Sequence, residues 1–184
     1  PLWVPFVVIG LIGVAGAGGL LLTQGYRMER ITVWLDPAAS EKGHQTIQGL
    51  YAIGSGGLFG KGLGQSMQKL GFLPEANNDM IFSVICEELG LFGALCVLAL
   101  FFALIWRFMV IAVNAPDLYG SMIVVGVIAH IGIQVFINIA VATNTIPNTG
   151  IPLPFISYGG SSLVFMLLEM GLVLSVSRYI NVKK

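Results

Sequence analysis

Charge is what this chain has least of. Only 10% of its 184 residues are charged, nine of each sign, and the formal net charge is zero. An ordinary soluble domain carries about 25% charged residues. With no basic field to draw in a polyanion, nucleic-acid binding is excluded. Cysteine and histidine are scarce too, two of each. Cys86 and Cys96 stand singly without a CxxC or CxxH pattern, and His44 and His130 lie far apart, so packed thiols are expected rather than a metal site. The start, Pro1-Leu-Trp, lacks the basic segment and cleavage site of a signal peptide, and the expectation is a chain cut from something longer. Neither internal repeats nor low-complexity tracts occur. A nucleotide-binding P-loop is missing as well: the glycine run Gly54-Ser-Gly-Gly-Leu-Phe-Gly-Lys61-Gly-Leu-Gly64 has Ser55 where GxxxxGK needs glycine, and Gly62 where Ser or Thr should follow the lysine.

What the chain does have is hydrocarbon. Hydrophobic residues make up 56% of it and the mean hydropathy is +0.88, which marks an integral membrane protein. Residues 3–23, 89–113, 120–142 and 162–179 each approach the roughly 20 apolar residues needed to cross a bilayer as a helix. Their length excludes membrane strands, which run to only about 9–11 residues. The expected fold is therefore an all-α integral membrane domain with four transmembrane helices. A long loop, 24–88, joins the first two and holds most of the charge. Within it, residues 45–60 mix Ile47, Leu50, Tyr51, Ile53 and Leu58 with polar residues and glycine, too short and broken to span, and are read as a re-entrant or interfacial helix. Arg107, Arg178, Lys183 and Lys184 fall on one side, whereas the 143–161 loop on the other side has no positive residue. The tail is accordingly expected in the cytoplasm and the long loop outside, although that loop also carries Arg27, Arg30, Lys42, Lys61 and Lys69.

Three constellations could carry chemistry. Asp79 follows the turn-forming Pro74, Asn77 and Asn78 and precedes the helical run Met80-Ile-Phe. It reads either as a helix N-cap or as a general base at the membrane edge. Glu87 and Glu88 lie two turns deeper, and at least one of them must face the interior. In the third span His130, Gln134 and Asn138 recur at helical spacing, making a polar stripe with Glu169 of the fourth span as a possible partner. Such a stripe serves as interhelical glue or as a polar path. The glycine run is read as a flexible turn or as backbone able to approach a ligand, with Lys61 and Lys69 offering ammonium groups.

Taken in order, Tyr26-Arg27-Met-Glu-Arg30, Leu35-Asp36-Pro37, the glycine run, Leu73-Pro-Glu75, Asp79-Met-Ile-Phe82, Glu87-Glu-Leu-Gly90 and Pro152-Leu-Pro-Phe-Ile-Ser-Tyr-Gly-Gly-Ser-Ser162 resemble the SEDS family (FtsW, RodA, SpoVE) nearly end to end. Pro147-Asn-Thr-Gly150 and Ala115-Pro-Asp-Leu-Tyr119 lean toward its FtsW and SpoVE branch. Family members have about ten spans of the usual ~20-residue length. The resemblance thus implies that residues 1–184 are the C-terminal portion of such a bundle, from its seventh helix. It further implies a bacterial cytoplasmic-membrane glycosyltransferase that polymerises lipid II into peptidoglycan beside a class B penicillin-binding protein. Asp79 maps to the catalytic residue. Arg27, Arg30, Lys61 and Lys69 become candidates for pyrophosphate or loop-ordering contacts, Glu75 for orienting a lysine or a metal, and Ser157 and Ser161 for bonds to sugar or phosphate. A divalent cation, magnesium or manganese, would share the phosphate charge. Asn77-Asn78 and Met80 depart from the common family residues, and no family role attaches to His130 or Glu169. The rival reading is a lipid II flippase or a non-catalytic scaffold for the penicillin-binding protein, which would rest on the intramembrane polar set.

Overall fold

The computed structural model describes residues 25–39, 43–68 and 78–180. These form helices α1 (Gly25–Leu35), α2 (His44–Ser55), α3 (Ile81–Val113), α4 (Leu118–Ala142) and α5 (Gly160–Arg178), with a 3-10 turn at Pro37–Ala39. No strand occurs among the described residues. The stretch 3–23, expected as the first span, lies outside them, as do Lys69 and Glu75.

Among the described residues, α3, α4 and α5 are the helices long and apolar enough to cross a membrane. The last two start and stop within two residues of the expected spans. The first does not: helix begins at Ile81 rather than 89, so the expected loop 24–88 contains α1, α2 and the opening turns of α3. A 33-residue helix would be about 50 Å long, well beyond a hydrocarbon core of about 30 Å. The excess is set off by a break at Gly90, where φ is 69° and ψ is −167°. Residues 91–113 after the break suffice to span.

The break has a specific chemical completion. A continuous helix would bond the Leu91 amide to the Glu87 carbonyl and the Phe92 amide to the Glu88 carbonyl. Instead the glycine run takes all four groups: Lys61 N donates to Glu87 O and Gly62 N to Glu88 O, both at 2.9 Å, while Leu91 N donates to Gly57 O at 2.9 Å and Phe92 N to Leu58 O at 3.1 Å. The run is thus a built-in splice. Its backbone approaches the helix rather than leaving that closeness to a ligand. A β-carbon on Gly60, at φ 75°, would lie 2.2 Å from Glu88 O, and one on Gly90 would lie 2.4 Å from Gly60 N. Only glycine fits both positions.

Phe82, Cys86, Ala94, Phe101 and Phe108 of α3 pack with Val124, Val127, Ile131 and Val135 of α4, and Met166 and Val173 of α5 close the cluster. Much of the remaining surface is apolar: Trp106, Phe136, Phe165 and Leu174 are all exposed. That is the surface expected of helices whose other neighbours are lipid or further spans. Cys86 is a packed thiol as expected, but Cys96 faces outward from α3, which corrects the expectation for that residue.

Replacing Gly90 by Ala should unseat the splice, because the left-handed backbone alone carries a strain of about 1–3 kcal/mol for a residue with a β-carbon. Thermal melting in detergent should show a clear downward shift. An unchanged melting temperature would mean that the break does not need glycine.

Candidate functional site at the end of the bundle

Asp79 sits in the turn just ahead of α3 and is not its N-cap. That position belongs to Met80, and no side chain caps the helix. The capping alternative is corrected for a simple reason: Asp79 lies one residue too early, and its carboxylate turns toward α2 instead. Gln45 Nε2 makes a long, 3.4 Å contact to Asp79 Oδ1. Asp79 Oδ2 stands 3.9 Å from where a β-carbon on Gly150 would be. Only 8% of Asp79 is exposed.

The backbone around Asp79 is held from two sides. Asn138, buried near the end of α4, donates through Nδ2 to Asp79 O at 2.8 Å and to Ile151 O at 2.9 Å. Ser157 Oγ donates to Asn78 O and accepts from Leu153 N at 2.7 Å. The 151–157 segment and α4 therefore grip the Asn78-Asp79 turn together. Helix α1 is fastened over the next loop. Arg30 Nη1 donates to Asn148 O at 2.8 Å, and Trp34 Nε1 donates to Asn144 O at 3.0 Å. Asn144 adopts a left-handed φ of 54°, which asparagine tolerates better than most residues. Between these elements lies a cavity of ≈ 160 Å³ lined by Glu29, Arg30, Trp34, Gln45, Asn144 and Asn148 among others. Gln45 belongs both to this cavity and to the surroundings of Asp79. A second hollow of ≈ 370 Å³ borders Ile81, Ile156, Ser157, Tyr158 and Leu163.

The other expected residues fall in different places. Arg30 serves the α1 contact just described, and of Arg27 only the backbone, within α1, is described. Ser161 is exposed in the first turn of α5. Lys61 is not beside Asp79 in the hydrogen-bond network; its Nζ lies 2.6 Å from Glu87 Oε1. Glu87 is fully buried and also accepts from Ser66 Oγ, with longer contacts from Ser55 Oγ at 3.5 Å and Gln68 N at 3.4 Å. This node was only half visible in the sequence: one of the two glutamates had to face inward, but its partners come from the splice that spacing does not show.

The polar stripe divides. His130 Nδ1 lies 2.7 Å from Glu169 Oε1, and Gln134 Nε2 lies 3.1 Å from His130 Nε2. The imidazole thus links two neighbours, with Nδ1 facing Glu169 and Nε2 facing Gln134. Asn138, one turn further, belongs to the Asp79 turn instead. Among the described residues no three His, Cys, Asp or Glu side chains gather as a metal cluster.

Fold and site together define a helical integral membrane protein with a buried carboxylate turn gripped at one end of its bundle. The chain belongs to the FtsW/RodA/SpoVE family, described as cell cycle proteins, whose model matches residues 1–182. It is 56% identical over 178 residues to stage V sporulation protein E of Bacillus subtilis, covering 95% of this chain and 48% of that protein. It is 46% identical over 182 residues to the probable peptidoglycan glycosyltransferase FtsW of Coxiella burnetii, covering 96% of this chain and 48% of that protein. The chain thus spans about half the length of these curated relatives. Among solved structures it resembles a peptidoglycan synthase complex described as coordinating polymerization and crosslinking, with a TM-score of 0.71 and 28% identity, over 99% of this chain and 51% of the other. The rod shape determining protein RodA of Thermus thermophilus matches with a TM-score of 0.55 and 38% identity, over 72% of this chain and 39% of its own.

The Glu87 node yields a stability test. Lys61→Met leaves a buried carboxylate without its cation, which typically costs about 3–5 kcal/mol, and adding Glu87→Gln should recover much of that loss. Melting curves of the two single variants and the double variant measure it. A Lys61→Met protein as stable as its parent would show that the pair does not hold the splice.

Proposed function

We propose that the full-length protein polymerises peptidoglycan glycan strands from lipid II, with Asp79 as general base. The observation that carries this reading is a buried carboxylate whose backbone is gripped from two sides and whose side chain meets Gln45, a residue lining the neighbouring cavity, in a chain whose relatives include proteins named probable peptidoglycan glycosyltransferases. Asp79 takes the proton of the acceptor sugar hydroxyl. The resulting oxygen attacks the anomeric carbon of the donor, the bond from that carbon to the pyrophosphate breaks, and undecaprenyl pyrophosphate leaves with its electron pair.

Positive charge must meet the leaving pyrophosphate. Arg27, Arg30, Lys61 and Lys69 remain the candidates, with Glu75 orienting a cation and Ser161 a hydroxyl at the α5 end. A divalent cation, magnesium or manganese, would share the phosphate charge, held by Glu75 together with the substrate's own phosphate oxygens, which leaves the Asp79 carboxylate to act as the base. The lipid tail needs an apolar way out, and the hollow bordered by Ile81, Ile156, Tyr158 and Leu163 suits it. A class B penicillin-binding protein is the proposed partner, in keeping with the synthase complex that the chain resembles. In this reading the site faces outward from the bacterial cytoplasmic membrane and the C-terminal tail faces the cytoplasm, which the positive residues Arg107, Arg178, Lys183 and Lys184 of the short segments support.

Asp79→Asn keeps the shape and loses the base, so lipid II polymerisation by the full-length protein should fall by about 10²–10⁴-fold while membrane insertion and partner binding persist. Near-parental glycan synthesis would end the reading. Loss of lipid movement in Glu169→Gln with polymerisation by Asp79→Asn intact would favour the flippase.

Orientation is tested separately with single cysteines near Gln65, Asn148 and Asp117 in a cysteine-free background. The first two should label from outside the cell and the third should not. Labelling of Gln65 and Asp117 from the same side would contradict this topology.

A further inference from the structure

The two carbonyls gripped at the site are not arbitrary. Asn78 O belongs to the peptide plane that precedes the Asp79 α-carbon, and Asp79 O to the plane that follows it. Rotation between these planes is φ and ψ of Asp79, the two soft angles of that residue. Ser157 holds the first plane and Asn138 holds the second. With both carbonyl directions fixed, the Cα–Cβ bond of Asp79 has one direction as well.

Both grips are themselves anchored in one short segment. The second Asn138 Nδ2 proton goes to Ile151 O, and Ser157 Oγ accepts from Leu153 N. Ser157 N donates to Leu153 O at 3.1 Å, closing residues 153–157 into a tight turn. Pro152 and Pro154 restrict the backbone there. Asn138 is 1% exposed, and water does not compete for its protons.

From this geometry we infer that Asn138 and Ser157 are positioning residues that act as one unit, aiming the Asp79 carboxylate through the two peptide planes beside it. The inference rests on the reading of Asp79 as the base. It also gives Ser157 a different role from a substrate contact, since its hydroxyl proton is committed to Asn78 O.

A unit behaves differently from two independent contacts. Releasing either plane frees one of the two angles, so most of the aim is lost with the first substitution, and groups that act together show strongly non-additive losses. A misplacement of about 1 Å can cost 10²-fold in rate. In the full-length protein with its penicillin-binding partner, Asn138→Ala and Ser157→Ala should each lower kcat for lipid II polymerisation by roughly 10–100-fold, with KM little changed. The double variant should be only slightly worse than either single one. Ser157→Thr keeps the hydroxyl and should restore most of the rate lost in Ser157→Ala.

Losses that multiply in the double variant would overturn the inference, as would a raised KM at unchanged kcat, which is the signature of direct substrate binding. Unchanged kcat in a well-folded Ser157→Ala protein would also overturn it. That variant deletes a single oxygen in a half-buried turn, so it keeps the question open to measurement if Asn138→Ala fails to fold. These results are separable from the base reading. An inactive Asp79→Asn protein beside a fully active Ser157→Ala protein would sink the positioning role alone, whereas an active Asp79→Asn protein would sink both.

Discussion

Two hydrogen bonds are missing from α3 at Gly90, and the arrangement above that point depends on how they are replaced. Four backbone groups cannot go unpaired beside a bilayer, where each unsatisfied group costs several kcal/mol. The glycine run supplies the partners with its own amides and carbonyls. In doing so it ties the end of α2 against the opening turns of α3, with Glu87 and Lys61 closing the joint from the side-chain direction. Helix α2 then brings Gln45, near its other end, to the Asp79 carboxylate.

The site shows the same economy. The Asp79 turn is held through its backbone in addition to the Gln45 contact on its carboxylate. Asn138 is drawn from a membrane-spanning helix and Ser157 from a loop, so the turn at 78–80 registers the position of both. That coupling gives a physical reason for an amide buried at the end of an otherwise apolar helix: both Nδ2 protons go to carbonyls of other segments, while Oδ1 is buried without a partner among the described residues. The lower polar group, His130 with Gln134 and Glu169, is separate from it in the hydrogen-bond network, and its members pair with one another as intramembrane polar groups do.

Much of this was legible in the residues. The hydrophobic spans of α4 and α5 emerged from length and composition, because a bilayer imposes its thickness on any helix that crosses it. Helix α2 was legible for the opposite reason, an apolar mixture too short and too polar to cross. Asp79 drew notice by its place ahead of a helix, and the order of the motifs carried the family. Three things were not legible. The join at Gly90 was hidden: a helical run from Met80 and a span from 89 were both legible, but nothing in the spacing shows that they form one element broken and spliced between them. The partners of Lys61 and Ser157 were hidden because they lie 26 and 79 residues away in sequence, and no periodicity records such pairings. Asn138 looked like part of a stripe because spacing along a helix reveals a shared face and not what meets that face at each turn.

The central claim concerns a proton passing from an acceptor hydroxyl to Asp79, and a distance tests it most directly. The measurement is an experimental structure of the full-length Asp79→Asn protein with its lipid-linked substrates trapped in place. The account predicts the acceptor hydroxyl about 2.6–3.2 Å from the side chain at position 79, directly or through one water. An acceptor hydroxyl seated against a different base, with the side chain at 79 turned away from it, would contradict the account.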